Sequence, residues 1–210
     1  MPDDVRRTLS VRAFPPGTSW KTFLDNHREV LVAMDLFIVP TVTFRLLYVL
    51  LVIQHDRRTV LHVNVTARPT AGWVIQQLRE AFPFETAARF ILLDRDAIFS
   101  VEVHDTLRRI GVQPLRTAYH SPWQNAVAER WIGTCRRELL DHVIVLNGER
   151  LRRLLKEFLA YYHDDRTHLA LGKDPPMRRP ASLQPSATAE VIAFPRLGGL
   201  HHRYEWAEAA

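Results

Sequence analysis

The chain has 210 residues, of which 47% are hydrophobic and 24% are charged, values typical of one soluble globular domain. This composition excludes a disordered tail protein and a collagen-like or mucin-like repeat. The single cysteine, Cys135, excludes an internal disulfide framework and a cysteine-rich zinc site. No uncharged apolar run approaches the roughly 20 residues of a membrane helix, and the N-terminal sequence MPDDVRR has no apolar stretch typical of a signal peptide.

The charge balance is basic and is dominated by arginine. Lys and Arg together number 28 against 23 Asp and Glu, which gives a formal net charge of +5. Lysine occurs only at positions 21, 156 and 173. Arginine forks bind phosphate oxygens in pairs, so this bias fits a polyanionic partner. An arginine-biased proteome would produce the same composition, and charge alone does not decide between the two.

The N-terminal part predicts a leader followed by an antiparallel meander. Residues 1–29 form the leader, with a short amphipathic piece over Ser19–His27. Three apolar or alternating runs follow, at Val30–Val39, Phe44–Ile53 and Thr59–Val65, with turn residues between them. Short strands this close together predict an antiparallel meander.

The rest of the chain alternates helices and strands. The periodicity predicts, in order, a helix over Thr70–Ala81, a strand over Phe90–Leu93, a helix over Val101–Ile110, a strand over Val112–Leu115, and helices over Asn125–His142 and Gly148–His163. This order predicts an α/β fold with a mixed sheet and helices on both faces. We expect residues 30–180 to form the core. The tail, 181–210, has a possible hairpin that pairs Val191–Phe194 with His201–Trp206.

Three carboxylates have unusual positions: Asp35 inside the first apolar strand, Asp94 directly after the strand Phe90–Leu93, and Glu129 near the start of a long helix. Three converging carboxylates repel one another unless a divalent cation holds them ionised. An all-oxygen site of this kind favours Mg²⁺ or Mn²⁺. Each residue also has a structural alternative: Asp35 facing water from an edge strand, Asp94 starting a turn, and Glu129 paired with an arginine.

The helix that carries Glu129 has distinct faces. At about 100° per residue, Asn125, Gly133 and Arg136 lie within about 40° of Glu129, whereas Arg137 is rotated by about 80°. The apolar stripe of this helix contains Cys135, which we interpret as a core residue. Candidate DNA contacts are Gln124, Asn125, Arg130, Arg136 and Arg137. Arg136→Ala is predicted to weaken DNA binding more than Arg137→Ala. The alternative is a solvated basic face with ion pairs to Glu138 and Asp141.

These motifs together resemble the integrase catalytic core of retroviral-type DDE transposases. The resemblance rests on Asp35, on Asp94 five residues before the aromatic Phe99, and on the run Ser121–Arg130, which reads SPWQNAVAER. A downstream segment, Tyr161–Leu171, is similar to the arginine-histidine segment of many insertion-sequence transposases. The resemblance covers about residues 20–180.

The resemblance implies an RNase H-like fold with a five-stranded mixed sheet whose first three strands are antiparallel and which is flanked by helices. It implies that Asp35, Asp94 and Glu129 are catalytic and hold two Mg²⁺ or Mn²⁺ ions. It also implies polynucleotidyl transfer. The DNA partners would be the ends of a transposable element and a target DNA. A homo-oligomer on DNA and a location in the bacterial cytoplasm or nucleoid are expected.

The sequence departs from the family pattern in three places. Asp94 and Glu129 are separated by 34 residues, one fewer than usual, and Asp96 stands where glycine is common. The helix-turn-helix that binds terminal repeats is not found, which suggests a truncated copy or the catalytic half of a larger gene. An RNase H-like nuclease that only hydrolyses, and a decayed remnant that only binds nucleic acid, are the alternative functions.

Overall fold

The structure, a computed structural model, describes residues 20–83, 88–118, 122–180 and 182–208, and of Pro122 and Trp123 it describes the backbone only. The strands of the central sheet are β1 (Leu31–Pro40), β2 (Leu46–Gln54), β3 (Val60–Thr66), β4 (Phe90–Leu93) and β5 (Gln113–Arg116). They lie in the order β3-β2-β1-β4-β5. The first three strands pair antiparallel, whereas β1-β4 and β4-β5 pair parallel. The predicted five-stranded mixed sheet is therefore confirmed.

The helices of the described residues are α1 (Trp20–His27), α2 (Ala71–Ala81), α3 (Val101–Arg109), α4 (Ala126–Glu138) and α5 (Gly148–Asp164). They begin where the sequence signals predicted. The Thr70 hydroxyl accepts from the backbone N–H of Trp73 and caps α2. Only α4 is clearly shorter than predicted, because Leu139 leaves helical geometry (φ −133°, ψ −63°) and a separate turn of 3-10 helix follows at Leu140–His142.

The alternation of side chains along the strands divides the core into two layers. On one face of the sheet, Ala33 and Phe37 of β1 pack with α4 and α5. On the other face, Val32 and Met34 pack with α2 and α3. Trp131 of α4 is 2% exposed and Cys135 is fully buried, so the predicted apolar stripe anchors α4 to the first face.

The end of the predicted leader is part of this core. Phe23 of α1 is 3% exposed and meets the Phe90 ring edge-on at 5.5 Å. The helix therefore covers one end of β4. Residues 1–19 of the leader lie outside the described residues.

The predicted hairpin is present in the tail. Strands β6 (Glu190–Arg196) and β7 (His201–Ala207) pair antiparallel and are tied to the end of α5 through Asp165. The Asp165 side chain, 2% exposed, lies 2.9 Å from Arg196 and 3.5 Å from Arg179. Among the residues described, none of the helices has the length and apolar character to cross a membrane.

Candidate active site

The sheet places Asp35 and Asp94 next to each other. Strands β1 and β4 are parallel, and their last paired residues are Ala33 and Leu92. Asp35 and Asp94 each lie two residues further on, so both carboxylates reach the same level of the sheet. Because side chains two apart share a face, both lie on the face of Ala33 and Leu92, where α4 packs.

Asp35 is held in an environment that disfavours its charge. It is half-buried, and burial is the main cause that raises its pKa to about 7. The backbone N–H of Leu36 donates to its Oδ1 at 2.8 Å and opposes the shift. The negative charges of Asp94, Glu129 and Asp96 raise the pKa further. The other two predicted carboxylates are therefore close enough to act on Asp35 electrostatically.

Asp94 closes a tight turn as well as facing the site. Its Oδ1 accepts from the backbone N–H of Asp96 at 2.9 Å, so the turn suggested as its structural alternative is also present. Burial raises the pKa of Asp94, and the nearby Asp96 charge adds to this shift against the hydrogen bond. The turn and the site are compatible because a carboxylate has a second oxygen that remains available.

Glu129 lies in the first turn of α4 and is exposed. The positive end of the helix dipole at this position favours a negative charge. The residues directly before α4 are buried instead: Gln124 is 8% exposed and Asn125 is 3% exposed. Gln124 Oε1 accepts from the backbone N–H of Ala118 and fixes the loop before the helix.

Asn125 connects α4 to β1, the strand that carries Asp35. Its Nδ2 donates to Met34 O at 3.3 Å and lies 3.4 Å from Asp35 Oδ2. Its buried Oδ1 has no hydrogen-bond partner among the described residues. Gln124 and Asn125, predicted as DNA contacts, thus have partners inside the protein.

The chemistry of this site fits a hard divalent cation. Asp35, Asp94 and Glu129 offer only carboxylate oxygens, the ligands that Mg²⁺ and Mn²⁺ prefer. The charges of Asp94 and Glu129 add to the burial that raises the pKa of Asp35, and bound positive charge would relieve their repulsion. In the described part of the chain, no three His, Cys, Asp or Glu side chains form a group that could hold a metal ion. The exposed Glu129 would have to turn toward the two aspartates to complete the set.

The three predicted arginines of α4 have different surroundings. Arg136 donates from Nη2 to Ile38 O at 3.3 Å and stacks over the Phe37 ring at 5.8 Å. Arg130 and Arg137 instead line a cavity on another flank of the helix. Arg136, which the sequence predicts to be a stronger DNA contact than Arg137, has its guanidinium held against β1 by these contacts.

The chain is similar to known proteins both in part of its sequence and in its fold. Residues 110–176 match the family model of the integrase core domain. A chain of the simian T-cell lymphotropic virus intasome, solved in complex with PP2A regulatory subunit B56 gamma, superposes with a TM-score of 0.56. The two sequences are 15% identical, over 85% of this chain and 66% of that one. This chain has the fold of an integrase catalytic core.

Two further integrase or transposase cores share this fold. The catalytic core domain of BIV integrase superposes with a TM-score of 0.53 and 16% identity, over 70% of this chain and 91% of that one. The catalytic domain of Mos1 mariner transposase gives 0.53 and 17%, over 67% and 77%. No curated protein shows a significant sequence match. The resemblance to an integrase core and the predicted RNase H-like fold are confirmed.

The family match covers part of the candidate site. Glu129 and the arginine-histidine segment lie inside the matched residues, whereas Asp35 and Asp94 precede them. The chain spans 66% of the length of the intasome chain. The roles of Asp35, Asp94 and Glu129 as catalytic and metal-binding residues remain predictions.

Two features of this fold were not evident from the sequence. The sequence predicts Asn125 as a DNA contact, and the structure adds that its amide reaches Asp35. Its position one turn before Glu129, on the same helical face, was the available signal. The other feature is a set of arginines contributed by a turn, by α4 and by the segment after α5, which no local pattern brings together.

Proposed function

We propose that this integrase core catalyses metal-dependent DNA cleavage and strand transfer, as a DDE recombinase. The observation that carries the proposal is the parallel register of β1 and β4, which puts Asp35 and Asp94 at one level of the sheet, with Glu129 near enough for its charge to act on Asp35. The middle of β1, the end of β4 and the start of α4 thereby supply three carboxylates to one region of the sheet. A buried carboxylate whose pKa is raised beside other acidic groups is typical of active sites.

The three carboxylates are proposed to hold two Mg²⁺ or Mn²⁺ ions. Such ions, when bound, activate a water or a DNA 3′-hydroxyl and stabilise the leaving oxygen of an in-line displacement. Asp35 and Asp94 come from adjacent strands and supply the rigid part of the site. Asn125 orients Asp35 through its amide. Glu129, exposed at the start of α4, completes the site.

DNA is the proposed partner, and α4 is the proposed contact element. Its arginines Arg130, Arg136 and Arg137 are all exposed, and Arg130 and Arg137 lie on another flank of the helix from Glu129. Arginine side chains bind phosphates through paired hydrogen bonds. Because two DNA ends have to be held together for transposition, we also propose that the active form is a homo-oligomer on DNA.

A strand-transfer assay tests this function. The purified chain is mixed with Mn²⁺, a duplex carrying a recessed 3′-hydroxyl, and supercoiled plasmid, and joined products are measured. Glu129→Gln keeps the side-chain shape and should abolish joining. Its DNA affinity should stay equal or rise slightly, because repulsion between Glu129 and phosphate is lost. Asp141→Asn, an exposed acid just beyond α4, is the matched control and should join DNA like the wild type.

Other results of the strand-transfer assay would support the alternative functions. Cutting of plasmid without joining would show an RNase H-like nuclease. DNA binding with neither cutting nor joining, in Mg²⁺ and in Mn²⁺, would show a non-catalytic remnant. Joining that persists in Glu129→Gln would show that this residue is not part of the site.

A further inference from the structure

A basic cavity lies on a different flank of α4 from Glu129. It has a volume of about 430 Å³. Four arginines line it, Arg58, Arg130, Arg137 and Arg166, together with Tyr162 and His168. We call this the arginine cavity. At about 100° per residue, Arg130 and Arg137 point about 100° and 80° away from Glu129 on the helix.

Three distant parts of the chain build the arginine cavity. Arg58 lies in the turn between β2 and β3, where its φ of 60° is the left-handed conformation. Arg130 and Arg137 are two turns apart on α4, and Arg166 follows α5 directly. Because these elements meet only in the folded protein, the cavity belongs to the tertiary structure.

Among the described residues, only one of the four arginines of this cavity has an acidic partner. Arg166 is paired with Glu138 through two hydrogen bonds of 2.6 and 2.7 Å. In the described part of the chain, no carboxylate makes an ion pair with Arg58, Arg130 or Arg137. Three guanidinium charges therefore share one cavity without an acidic partner. Their repulsion disfavours the empty state and favours a bound anion.

The remaining polar groups do not change this balance near neutral pH. Burial raises the pKa of Tyr162 to about 12, so its hydroxyl keeps its proton. Burial and the charges of Arg166 and Arg58 lower the pKa of His168 to about 4, so its ring is neutral. Burial and the neighbouring Arg130 charge lower the pKa of Arg58, and arginine remains charged in proteins all the same.

A helix glycine makes room for one of the arginines. A Cβ at Gly133 would lie 3.0 Å from Arg137 Nη1. Glycine in a helix interior is about 1 kcal/mol less favourable than alanine. At this position it lets the guanidinium of Arg137 lie along the surface of α4.

We propose that the arginine cavity binds one backbone phosphate of the DNA, a few nucleotides from the reacting one. This inference rests on the proposed function, because it takes DNA as the substrate. Guanidinium groups that surround a cavity offer the paired donors that a phosphate accepts. From Glu129 to Arg137 the helix advances about 12 Å at 1.5 Å per residue. At 3.4 Å per nucleotide along a strand, this corresponds to roughly three or four nucleotides.

Binding of duplex DNA over a salt series tests the proposal. Arg58→Gln and Arg137→Gln each remove one charge from the cavity. Each should weaken binding several-fold and lower the slope of log affinity against log salt by about one, the effect of one lost phosphate contact. Arg79→Gln is the matched control, because Arg79 is exposed on α2 at the other face of the sheet. It should keep the wild-type slope.

Inorganic pyrophosphate provides a second measurement that needs no DNA. At millimolar concentration it should raise the melting temperature of the wild type and of Arg79→Gln by mass action. The rise should be absent in Arg58→Gln and in Arg137→Gln. Because each of these variants relieves repulsion, both should fold without the ligand.

The results separate this proposal from the proposed function. The phosphate site would be overturned if Arg58→Gln and Arg137→Gln both kept the wild-type slope of log affinity against log salt. It would also be overturned if Arg79→Gln lowered that slope as much as they do. Loss of self-association in Arg137→Gln with an unchanged DNA slope would overturn it too, because the cavity would then hold an acidic segment of a second copy. If the wild type never joins DNA but the cavity variants lose slope, the phosphate site stands and the recombinase function fails.

Discussion

Asn125 places its amide Nδ2 3.4 Å from Oδ2 of Asp35, although the two residues are 90 positions apart in the sequence. The same amide donates to the backbone carbonyl of Met34. The start of α4 is thereby tied to the strand that carries the first carboxylate. Since Glu129 is one turn further along α4, this contact also sets where Glu129 stands relative to Asp35.

Removal of the Asn125 amide should weaken metal binding more than it weakens the fold. In Asn125→Ala, the Mn²⁺ concentration needed for half-maximal strand transfer should rise by roughly 10- to 100-fold, the usual effect of losing a group that orients a metal ligand. Gln124→Ala is the control, because Gln124 contacts the loop at Ala118 and not the carboxylates. It should lower the melting temperature and leave the Mn²⁺ dependence unchanged. The same Mn²⁺ dependence in both variants would contradict the role of Asn125.

The raised pKa of Asp35 predicts the pH dependence of stability in the absence of metal. Its pKa is about 7 in the fold and about 3.9 in an unfolded chain. The folded state therefore binds the proton more tightly, and this contribution to stability is complete below about pH 4 and is lost as pH rises through about 7. In EDTA, Asp35→Asn should show a smaller fall in melting temperature between pH 5 and pH 8 than the wild type. Equal falls would show that Asp35 titrates normally.

A bound divalent cation should counteract this loss of stability at high pH. Because Mn²⁺ and protons compete for Asp35, millimolar Mn²⁺ should raise the melting temperature more at pH 8 than at pH 5. Asp94→Asn should remove the Mn²⁺ effect. Asp105→Asn, an acid on α3 on the other side of the sheet, should retain it. A wild type that Mn²⁺ does not stabilise at pH 8 would argue against a metal site formed by these carboxylates.

The relative contributions of Arg136 and Arg137 to DNA binding should be the opposite of those predicted from the sequence. Arg136 is held by Ile38 O and the Phe37 ring, so Arg136→Ala should cost about 1 kcal/mol of stability. Arg137 has no carboxylate partner in the described residues and lines the arginine cavity. Arg137→Ala should therefore weaken duplex binding more than Arg136→Ala does. Urea unfolding and a duplex titration at one salt concentration measure the two effects, and a larger loss of affinity in Arg136→Ala would support the helical-face argument instead.

The tail hairpin should depend on one buried carboxylate. Asp165 lies 2.9 Å from Arg196 of β6 and 3.7 Å from Arg203 of β7. Asp165→Ala would leave those arginines without this partner, and because their side chains are 40% and 31% exposed, the cost should be smaller than the roughly 3–5 kcal/mol of a fully buried pair. Limited proteolysis should then cut between α5 and the hairpin at least ten-fold faster. Asp164→Ala, the exposed neighbour, should be cut at the wild-type rate.

Local patterns were sufficient to predict the strands and helices of this fold. Alternation and apolar runs identified β1 to β5, because strand side chains have a period of two wherever one face is buried. The cap at Thr70 and the stripe of α4 located two helices, since both signals arise from contacts within a few residues. The carboxylates Asp35, Asp94 and Glu129 were found in the same way, because an acid in an apolar strand or at a strand end is unusual by itself.

Tertiary structure decided what those residues face. The parallel register of β1 and β4 brought Asp35 and Asp94 to one level, and the packing of α4 turned Asn125 toward Asp35. The arginine cavity joins a turn, a helix and a segment after another helix, from Arg58 to Arg166. Periodicity reports contacts within one element, whereas the burial and the charge of a neighbour 90 residues away exist only once the sheet and its helices have packed.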